Sequence, residues 1–522
     1  MNVANFLVRA AQIYGDRPAV AVGQRVLMDY KGLAARVSAL AALLASAGAS
    51  RHSRVVLFLE NRAEYLESLL ATWWVGACAV PLNTKLHPNE LAYILSHSGA
   101  TVCILSRKSA VVAAPAFAIA QTGCIDVVVD DPQWVAPRFA PLGRPAEVSP
   151  TDPGWVFYTS GTTGKPKGAV ISHSALRFLS MNFRSDFDAI TPRDNLLHVA
   201  PMSHGSGLCI LPYLMGGACN VVPESGGFDP AEAHELLRHY TNVCFFAVPT
   251  MVHRLTLSAA GSPPENLKTL VYGGGPMHMA TITAALDRFG PRFAQIYAQG
   301  ETPMTLAVLP KWAHADKDHP DYLTRLGSVG IPCNGADVRV VDEKGVELPT
   351  GEVGEVVVRG PTVMSGYLND DAATQRAIID GWLWTGDLGA FGKDGFLTLK
   401  DRSKDLIIAG GSNIYAREVE DVLLKHPGVD QAAVVAKSDL DWGEVPVAFV
   451  VAKQDGQLTA EALDRFCLEH LSRFKRPKFY KLVPALPLNG IGKVLKTELR
   501  ANIADAPREY FDLVAESGSQ KA

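Results

Sequence analysis

Helical and strand patterns alternate along the first part of this chain, and this alternation constrains its fold more than any other feature. Apolar residues recur at helical spacing from Leu33 to Leu44 and stop near Gly48. The segment from Arg54 to Leu59 is an apolar run typical of a buried strand. The segments predicted after it are a helix from Ala63 to Val75, a helix from Pro88 to His97, and strands from Thr101 to Leu105 and from Ile125 to Val129. Strands alternating with helices predict an α/β domain with a mainly parallel sheet.

The character of the sequence changes after about Gly327. Strand patterns become short and glycine turns frequent, as in Asp342-Glu343-Lys344-Gly345, which is typical of a β-rich antiparallel subdomain. The charge cluster Asp401-Arg402-Ser403-Lys404-Asp405 then separates two apolar strands. With 522 residues, the chain is long enough for more than one domain. We expect a large N-terminal α/β domain over residues 1–401 and a small C-terminal α+β domain over residues 402–522, with a hinge at about 402–404.

Charge and cysteine usage exclude several classes of protein. The chain has 49 Lys and Arg against 53 Asp and Glu, a formal net charge of −4, whereas nucleic-acid-binding proteins usually carry a marked basic excess. Its eight cysteines are scattered, with no C-x-x-C pair and no His/Cys cluster at zinc spacing. We therefore expect buried thiols in a reducing compartment and no nucleic-acid partner.

The sequence carries no recognisable targeting or membrane segment. The first residues lack a charged leader and a long apolar stretch. The longest apolar region, Leu208 to Val222, is interrupted by Pro212, Gly216, Gly217 and Asn220, so it is too short for a membrane span. We expect a cytoplasmic protein with no integral membrane segment.

The strongest local signal is the segment Tyr158-Thr159-Ser160-Gly161-Thr162-Thr163-Gly164-Lys165-Pro166-Lys167-Gly168. Its glycines let backbone N–H groups approach an anion closely, and its hydroxyls and two lysines add donors and positive charge. These properties favour a cradle for a polyphosphate; a flexible polar surface loop is the alternative. The segment is not a Walker A loop, because only two residues separate Gly161 from Gly164 and a proline follows Lys165.

This segment and seven others resemble, in order, the motifs of the adenylate-forming superfamily, which contains acyl-CoA synthetases, adenylation domains and firefly-type luciferases. Thr159 to Gly168 resembles the phosphate-binding loop of that superfamily. The other matching segments are Ala200 to Gly207, Tyr272 to Pro276, Ile296 to Thr302, Gly354-Glu355 with Gly366-Tyr367, Trp384 to Asp387, Asp401 to Glu418, and Pro487 to Lys493. So many ordered matches over nearly the whole chain are far more specific than any single one.

The resemblance assigns nucleotide binding to residues in five of these segments. They are Thr159, Ser160, Gly161, Thr162, Thr163, Gly164, Lys165, Gly273, Gly274, Gly275, Tyr297, Gly300, Thr302, Asp387 and Arg402. Asp387 can accept hydrogen bonds from both ribose hydroxyls, and Arg402 can add donors there. Each alone would more commonly be a turn-capping Asp or a solvated Arg.

Three catalytic residues are also implied by the resemblance. Lys493 lies in a glycine-rich turn, from which a long cation can reach the reacting carboxylate and phosphate. Glu301 helps to hold Mg²⁺, an ion that favours carboxylate, water and phosphate oxygens. His204 gates or lines the acyl pocket. Outside this context the three would more often be a solvent lysine, a helix N-terminal carboxylate and a satisfied loop histidine.

In the superfamily, a mobile C-terminal lid rotates between the two half-reactions. Lys404 falls at the hinge position, where a few residues absorb the dihedral change. Gly410-Gly411 falls on the face used in the thiol step, where glycine would leave room for the pantetheine arm of CoA; an ordinary β-turn is the alternative. Lid residues that either meet the CoA phosphates or form a solvated charged face are Arg473, Lys475, Arg476 and Lys478.

The sequence departs from the superfamily pattern at three positions. Ala298 and Gly300 replace the usual Gly and Thr before Glu301, and we expect Gly300 to widen the acyl pocket or to alter a phosphate contact. Ala416 replaces a proline that is common after the hinge. None of these changes removes a charge that the chemistry needs, so we expect an active enzyme.

The function implied by the resemblance is that of an AMP-forming acid–CoA ligase using ATP, Mg²⁺ and CoA. Such an enzyme converts a carboxylic acid and ATP to an acyl-adenylate and pyrophosphate, and then transfers the acyl group to CoA. We expect an apolar acid (fatty, alicyclic or aromatic), with long-chain fatty acid metabolism as one setting, and a homodimer as the oligomeric state to test. The alternatives are an acyl-AMP ligase that loads a carrier-protein phosphopantetheine and a catalytically silent adenylate-binding protein.

Overall fold

The computed structural model describes residues 1–136, 140–159, 165–258, 265–402, 405–409, 412–439, 442–453, 458–489, 494–503, 506 and 511. The chain forms two compact units. The first comprises Met1–Met277, Thr281–Val338 and Val357–Trp384, and the second comprises His278–Ala280, Arg339–Val356 and Thr385–Ala522.

Strands and helices alternate along the first part of the first unit. The elements are α1 (Asn5–Ile13), β1 (Pro18–Val22), β2 (Arg25–Asp29), α2 (Tyr30–Ser46), β3 (Arg54–Phe58), α3 (Ala63–Trp74), β4 (Cys78–Pro81), α4 (Pro88–Ser98), β5 (Val102–Leu105), α5 (Arg107–Ala120), β6 (Ile125–Val128), α6 (Pro132–Val135) and β7 (Pro153–Thr159). All six segments predicted here from the sequence are confirmed, with small differences at their ends.

The alternation continues through the middle of the chain. Its elements are β8 (Lys167–Ser172), α7 (His173–Asp186), β9 (Asn195–Leu197), α8 (Gly205–Leu208), α9 (Ile210–Gly216), β10 (Cys219–Val222), α10 (Pro230–His239), β11 (Val243–Ala247), α11 (Pro249–Leu257), β12 (Leu267–Gly273), α12 (Met279–Phe289), β13 (Phe293–Gln299), β14 (Thr302–Leu309), α13 (Lys311–Ala315), α14 (Tyr322–Leu326) and β15 (Ile331–Pro332).

Short strands dominate the segment after Gly327, as the glycine turns predicted. They are β16 (Asp337–Val341), β17 (Gly354–Arg359), β18 (Gly366–Tyr367), β19 (Ile378–Ile379), β20 (Trp382–Phe391) and β21 (Leu397–Arg402), with one helix, α15 (Asp371–Ala377). All of them except β18 form a five-stranded sheet in which β19 and β21 pair antiparallel with β20.

The remaining described elements belong to the second unit. They are β22 (Leu406–Ala409), β23 (Ser412–Tyr415), α16 (Ala416–Leu423), β24 (Val429–Asp439), β25 (Gly443–Ala452), α17 (Ala460–His470), β26 (Phe479–Leu482) and α18 (Lys496–Ile503).

Two large sheets form the framework of the first unit. The nine-stranded sheet has the order β15-β14-β13-β12-β11-β9-β10-β1-β2, and the pairs from β1 to β13 along this order are parallel. The seven-stranded sheet has the order β18-β8-β7-β4-β3-β5-β6, with β3 to β7 parallel and β8 antiparallel. Because ligands of open parallel sheets bind beyond the carboxyl ends of the strands, a ligand site is expected at these ends.

Local signals in the sequence fix the ends of helices such as α4. The His87 and Glu90 side chains form a capping box at its start, and Pro88 occupies its first turn. Gly99 ends the helix in the left-handed conformation, with a φ of 56°. The helix is therefore bounded by side chains and backbone that satisfy its terminal hydrogen-bonding groups.

The sheet of the second unit is covered on both faces. On β24, Val434 packs into one apolar cluster while Ala433 and Val435 pack into another. On β25, Ala448 and Val447 divide in the same way. Because successive side chains of a strand point to opposite faces, burial of both faces explains why the β25 sequence is apolar without alternation.

The prediction of buried cysteine thiols is also confirmed. Seven of the eight cysteines are buried and Cys124 is partly buried, and all are free thiols. The Phe245-Phe246 segment is the buried strand β11. In the described part of the chain, no helix is both long and apolar enough to span a bilayer.

Candidate active site

The predicted phosphate loop joins two antiparallel strands. Thr159, at the end of β7, pairs with Lys167, at the start of β8, so the loop closes a hairpin, whereas a P-loop leads from a strand into a helix. The Lys165 Nζ lies 5.6 Å from the ring centroid of Tyr93, a cation–π contact on the described side of the loop. The predicted phosphate ligands Ser160 to Gly164 lie outside the described residues.

The predicted glycine turn follows the carboxyl end of β12. Gly273 pairs with Ile296 of the parallel neighbour β13, and a Cβ at Gly273 would lie 2.6 Å from the Ile296 carbonyl oxygen. Gly274 has a φ of +81°, a conformation that L side chains rarely adopt. Tyr297, the residue after Ile296, is 7% exposed. The two predicted nucleotide-binding segments are therefore neighbours, and close backbone approach explains the glycines.

Glu301 lies in the turn between β13 and β14, next to the start of the phosphate loop. Its Oε1 accepts a hydrogen bond of 2.8 Å from the Tyr367 hydroxyl and one of 3.4 Å from the Thr159 Oγ1. The structure thus brings together Thr159 and Glu301, two predicted site residues 142 positions apart. Sequence reasoning assigned no role to Tyr367, although it had recognised Gly366-Tyr367 as part of a motif.

Gly300 fills a tight position rather than opening a pocket. A Cβ there would lie 2.4 Å from the Thr159 Cγ2 and 2.8 Å from the Phe157 Cδ1. The expectation that this glycine widens the acyl pocket is therefore not supported at this point, because the end of β7 already occupies the space. Its lack of a side chain instead allows the Glu301 turn to pack directly against β7.

The side chain of Thr302, another predicted nucleotide-binding residue, is buried in the protein. Its side chain is fully buried, and its hydroxyl has no hydrogen-bond partner among the residues that the structure describes. Two residues later, the buried Met304 has a φ of 58°, a conformation that is uncommon for a residue with a side chain. The segment after Glu301 is therefore closely packed, and the Thr302 side chain is not on an accessible surface.

His204 precedes the short helix α8. The name aromatic cluster is used here for three side chains at this place: His204, Phe157, whose ring meets the His204 ring, and Phe246, which packs beside the next residue, Gly205. The His204 ring meets the Phe157 ring edge-on, with 5.4 Å between centroids and 89° between planes. Its Nδ1 is 2.9 Å from the Ser203 hydroxyl. Burial lowers the pKa of His204 to about 4, so the ring is neutral at physiological pH. Phe246 packs against Gly205, where a Cβ would lie 2.7 Å from the Phe246 Cε1.

The loop that carries His204 is held by Asn61, which follows β3. The Asn61 Nδ2 donates to the carbonyl oxygens of His198 and Ala200, both at 2.8 Å, and its Oδ1 accepts from the Met202 N–H at 2.8 Å. Asn61 was not singled out from the sequence. No spacing rule connects two positions about 140 residues apart, so this contact depends on the tertiary structure alone.

In the second unit, Asp387 and Arg402 occupy directly opposed positions on β20 and β21. Asp387 is 5% exposed, and its N–H donates to the Thr385 hydroxyl at 3.1 Å. The Glu355 Oε1 accepts from the Gly386 N–H at 2.9 Å, and burial, with the Asp387 charge, raises the pKa of Glu355. The strand register thus brings together the two predicted ribose ligands, which are 15 positions apart in sequence.

Several predicted residues of the lid lie outside the described residues: Lys493, Lys404, Gly410 and Gly411. The basic cluster is described, and two of its members are already paired. The Lys475 Nζ lies 2.7 Å from the Glu418 carboxylate, and Arg476 pairs with the buried Asp464. The Lys478 Nζ lies 5.1 Å from the ring centroid of Trp442, which is 44% exposed.

Glu301 supplies a carboxylate, the kind of donor that magnesium prefers. Among the described residues there is no group of three or more His, Cys, Asp or Glu side chains that could form a metal cage. Glu301 offers a single carboxylate, which accepts both of its described hydrogen bonds at Oε1. Magnesium is commonly held by one or two carboxylates together with substrate phosphates and water, so one carboxylate beside a phosphate loop is a suitable arrangement.

Two family models match the chain. The AMP-binding enzyme model matches residues 7–368, and the AMP-binding enzyme C-terminal domain model matches residues 418–493. The chain belongs to the AMP-binding enzymes. This assignment confirms the resemblance to the adenylate-forming superfamily and the predicted fold class, a large N-terminal α/β domain with a small C-terminal domain.

Several CoA ligases are similar to this chain over nearly its whole length. A feruloyl-CoA synthase from Amycolatopsis is 34% identical over 96% of this chain and 98% of its own. A 2-succinylbenzoate–CoA ligase from Bacillus mycoides is 33% identical over the same shares. The o-succinylbenzoate CoA synthetase of Bacillus subtilis, solved with its acyl-adenylate intermediate, has a TM-score of 0.84 at 29% identity, covering 97% of this chain and 98% of that chain.

Another solved relative is an amide bond synthetase from Marinactinospora thermotolerans, with a TM-score of 0.87 at 28% identity, covering 96% of this chain and 100% of that chain. Taken with the family, the CoA-ligase relatives identify this protein as an enzyme, an AMP-forming acid–CoA ligase that uses ATP and CoA. They lend no support to the carrier-protein and catalytically silent alternatives, or to a setting in long-chain fatty acid metabolism.

Proposed function

We propose that this ligase activates an aromatic carboxylic acid that carries no second charge. The observation that carries the proposal is the aromatic cluster of Phe157, His204 and Phe246 in the first unit. Aromatic side chains pack well edge-on against another ring, so the cluster suits an aryl group better than a flexible chain. The substrates in the names of the curated relatives, feruloyl and 2-succinylbenzoate, support an aromatic acid.

The neutral state of His204 supports an acid substrate that has no second carboxylate. Burial lowers its pKa to about 4, so it supplies no positive charge near pH 7. Its described side-chain contacts are the Ser203 hydroxyl and the Phe157 ring. A second carboxylate buried against these groups would lack a cation, and an unpaired buried charge is strongly unfavourable. We therefore favour a ferulate-like acid over a dicarboxylate such as 2-succinylbenzoate.

In the first half-reaction, a carboxylate oxygen of the acid attacks the α-phosphorus of ATP, and the bond to pyrophosphate breaks. Thr159 and Lys165 bind the phosphates in this proposal, and the glycine turn at Gly273 admits the nucleotide close to the backbone. Glu301 would hold Mg²⁺, whose charge offsets the repulsion between the acid and ATP. Asp387 and Arg402 hold the ribose.

In the second half-reaction, the CoA thiol sulfur attacks the acyl carbonyl carbon and AMP leaves. Lys493 serves only the first half-reaction in this proposal, and Gly410-Gly411 admits the pantetheine arm for the second. Replacement of Lys493 by alanine should therefore abolish adenylate formation and spare thioester formation from a supplied acyl-adenylate. Equal loss of both half-reactions would contradict this division of roles.

The test is a pyrophosphate-release assay with ATP and Mg²⁺, run with and without CoA. The acid panel contains ferulate, benzoate, 2-succinylbenzoate, cyclohexanecarboxylate, octanoate and palmitate. We expect CoA-dependent turnover with the highest kcat/KM for the singly charged aryl acids. A preference of tenfold or more for 2-succinylbenzoate or palmitate would disprove the substrate assignment.

Variants of the aromatic cluster locate the acyl group. Phe157→Leu should raise the KM for ferulate and change the KM for ATP little, because it removes a ring contact while keeping an apolar side chain. Phe178→Leu is the matched control, since that phenylalanine lies on α7 and is 38% exposed. Equal effects of the two variants would show that the cluster does not contact the acid.

A further inference from the structure

The structure contains a residue whose contacts point to a role that family membership alone does not assign. Tyr367 lies on β18, the short edge strand that pairs with β8 directly after the phosphate loop. Its hydroxyl donates to the Glu301 Oε1 at 2.8 Å, a shorter contact than the 3.4 Å from the Thr159 Oγ1. A neutral donor to a carboxylate forms one of the stronger hydrogen bonds in proteins.

The backbone around Tyr367 holds the tyrosine in place independently of Glu301. The Tyr367 N–H donates to the Thr374 hydroxyl at 2.8 Å. The N–H groups of Ser365 and Leu368, on either side, donate to the carbonyl oxygens of Val170 and Gly168, both at 2.8 Å. The phenol is therefore attached to the strand that leaves the phosphate loop, through bonds that do not involve a ligand.

The same segment also holds the backbone of Glu301. The Met364 N–H donates to the Glu301 carbonyl oxygen at 2.7 Å. The segment from Met364 to Leu368, which pairs with β8, therefore binds Glu301 at two points: Met364 at its main chain and Tyr367 at its carboxylate. A carboxylate with one oxygen held by a donor presents its other oxygen in a defined direction, which is the kind of support that metal-binding carboxylates receive from neighbouring donors.

The ring of Tyr367 carries a second contact. The Lys167 Nζ lies 5.1 Å from its centroid, so a cation of the phosphate-loop segment rests on the phenol that binds Glu301. A tyrosine hydroxyl is a hydrogen-bond donor at neutral pH, so it can donate to the Glu301 carboxylate while the ring carries this cation.

We infer that Tyr367 is a positioning residue that orients the Glu301 carboxylate for Mg²⁺ and couples it to the phosphate loop. The inference rests on the proposed role of Glu301 as the metal ligand. Tyr367 itself contacts no reacting atom in this assignment. Loss of the Tyr367 hydroxyl should raise the Mg²⁺ concentration that the reaction needs. At saturating Mg²⁺, kcat should change little.

The test compares Tyr367→Phe with the wild-type enzyme. The variant keeps the ring for Lys167 and removes only the hydroxyl. We expect the Mg²⁺ concentration for half-maximal pyrophosphate release to rise about tenfold, the scale of a hydrogen bond to a charged group, with kcat at saturating Mg²⁺ within about twofold of wild type.

A binding measurement supplies a readout apart from turnover. Electron paramagnetic resonance counts free Mn²⁺ in mixtures with the enzyme and α,β-methylene-ATP, whose α–β bridge cannot be cleaved. Tyr367→Phe should weaken Mn²⁺ binding by about the same factor as it shifts the Mg²⁺ response. The matched control is Tyr65→Phe, because Tyr65 is fully buried and its hydroxyl has no partner within the described residues.

Glu301→Gln separates failure of the inference from failure of the proposed function. If Glu301→Gln binds Mn²⁺ like the wild type, the metal role of Glu301 is wrong and the inference falls with it. If Glu301→Gln loses Mn²⁺ but Tyr367→Phe matches both the wild type and Tyr65→Phe, only the inference is overturned. A fall in the thermal midpoint of Tyr367→Phe with an unchanged metal response would show a purely structural role.

Discussion

Two groups of strand ends in the first unit have similar architecture and different chemistry. The carboxyl ends of β7, β12 and β13 carry the phosphate loop, a glycine turn and Glu301, and the aromatic cluster adjoins them. The carboxyl ends of β3, β5 and β6 carry Glu60, Ser106 and Asp130. Both groups lie where open parallel sheets usually bind ligands. Only the first group is matched by the motifs that imply nucleotide binding.

The second group is closed by its own side chains. Arg62 donates to Glu64 and to Asp130, both at 2.8 Å, and lies 3.7 Å from Glu60. The Ser106 hydroxyl donates to the Glu60 Oε2 at 2.9 Å. The polar groups therefore satisfy one another, whereas the hydrogen bonds that Glu301 accepts from the described side chains both come from hydroxyl groups and both reach Oε1. A strand-end position becomes a site when its polar groups are left for a ligand, and topology alone does not decide this.

The largest expected effect comes from Glu301→Gln, which removes the carboxylate charge at the first group of strand ends, those of β7, β12 and β13. Pyrophosphate release should fall by about 100-fold or more, because this electrostatic contribution acts in the transition state. The free energy of unfolding should change little. Glu343→Gln, at an exposed turn, is the control. Wild-type turnover by Glu301→Gln would contradict the difference drawn between the two groups of strand ends.

A smaller loss is expected from Gly300→Ala. The new Cβ would lie 2.4 Å from the Thr159 Cγ2, so the Glu301 turn and β7 would be forced apart, with a stability cost of about 1–3 kcal/mol. Urea unfolding and pyrophosphate release measure the two effects. Thr159→Ser removes that Cγ2 and keeps the hydroxyl, so the double variant should recover part of the loss. Higher activity in Gly300→Ala would show that the space is open after all.

At the closed strand ends, Arg62→Met should affect stability and not catalysis. Its partners are partly buried, and we expect a loss of about 1–2 kcal/mol in urea unfolding, between the values for exposed and buried pairs. The kcat should stay within about twofold of wild type. Lys31→Met, which removes the exposed Lys31–Asp16 pair, should cause no measurable change. A large loss of kcat in Arg62→Met would indicate that these ends also bind a ligand.

The smallest effect near neutral pH concerns His204. Burial lowers its pKa to about 4 from an ordinary value of 6.5. Between these two pH values the unfolded state binds more protons than the folded state. The free energy of unfolding therefore falls as the pH drops from about 6.5 to about 4, and above about 6.5 His204 causes no such loss. Three other histidines, His173, His198 and His314, have pKa values lowered to about 4 in the same way. His204→Gln should make the thermal midpoint less dependent on pH in this window. An unchanged pH dependence would contradict the neutral state of His204.

The sequence supplied candidate site residues, but it did not predict how those that the structure describes are held in place. Asn61 and Tyr367 hold site residues through contacts with partners 66 or more positions away in sequence. Neither belongs to a residue type or spacing that by itself indicates such a role. The expectation of a wider acyl pocket at Gly300 is limited in the same way, because whether a glycine opens a pocket or admits a neighbouring strand depends on what packs against it.

The sequence by itself determined the α/β alternation, the β-rich segment after Gly327 and the ordered motifs of an adenylate-forming enzyme. These features are local, since hydrophobic periodicity, turn residues and contiguous motifs each depend on residues that are close together in the sequence. Only the tertiary structure decided that Tyr367 binds Glu301, that Phe157 fills the space beside Gly300, and that the ends of β3, β5 and β6 are closed by ion pairs. Those outcomes depend on side-chain packing between distant segments, which a single sequence does not encode in any local pattern.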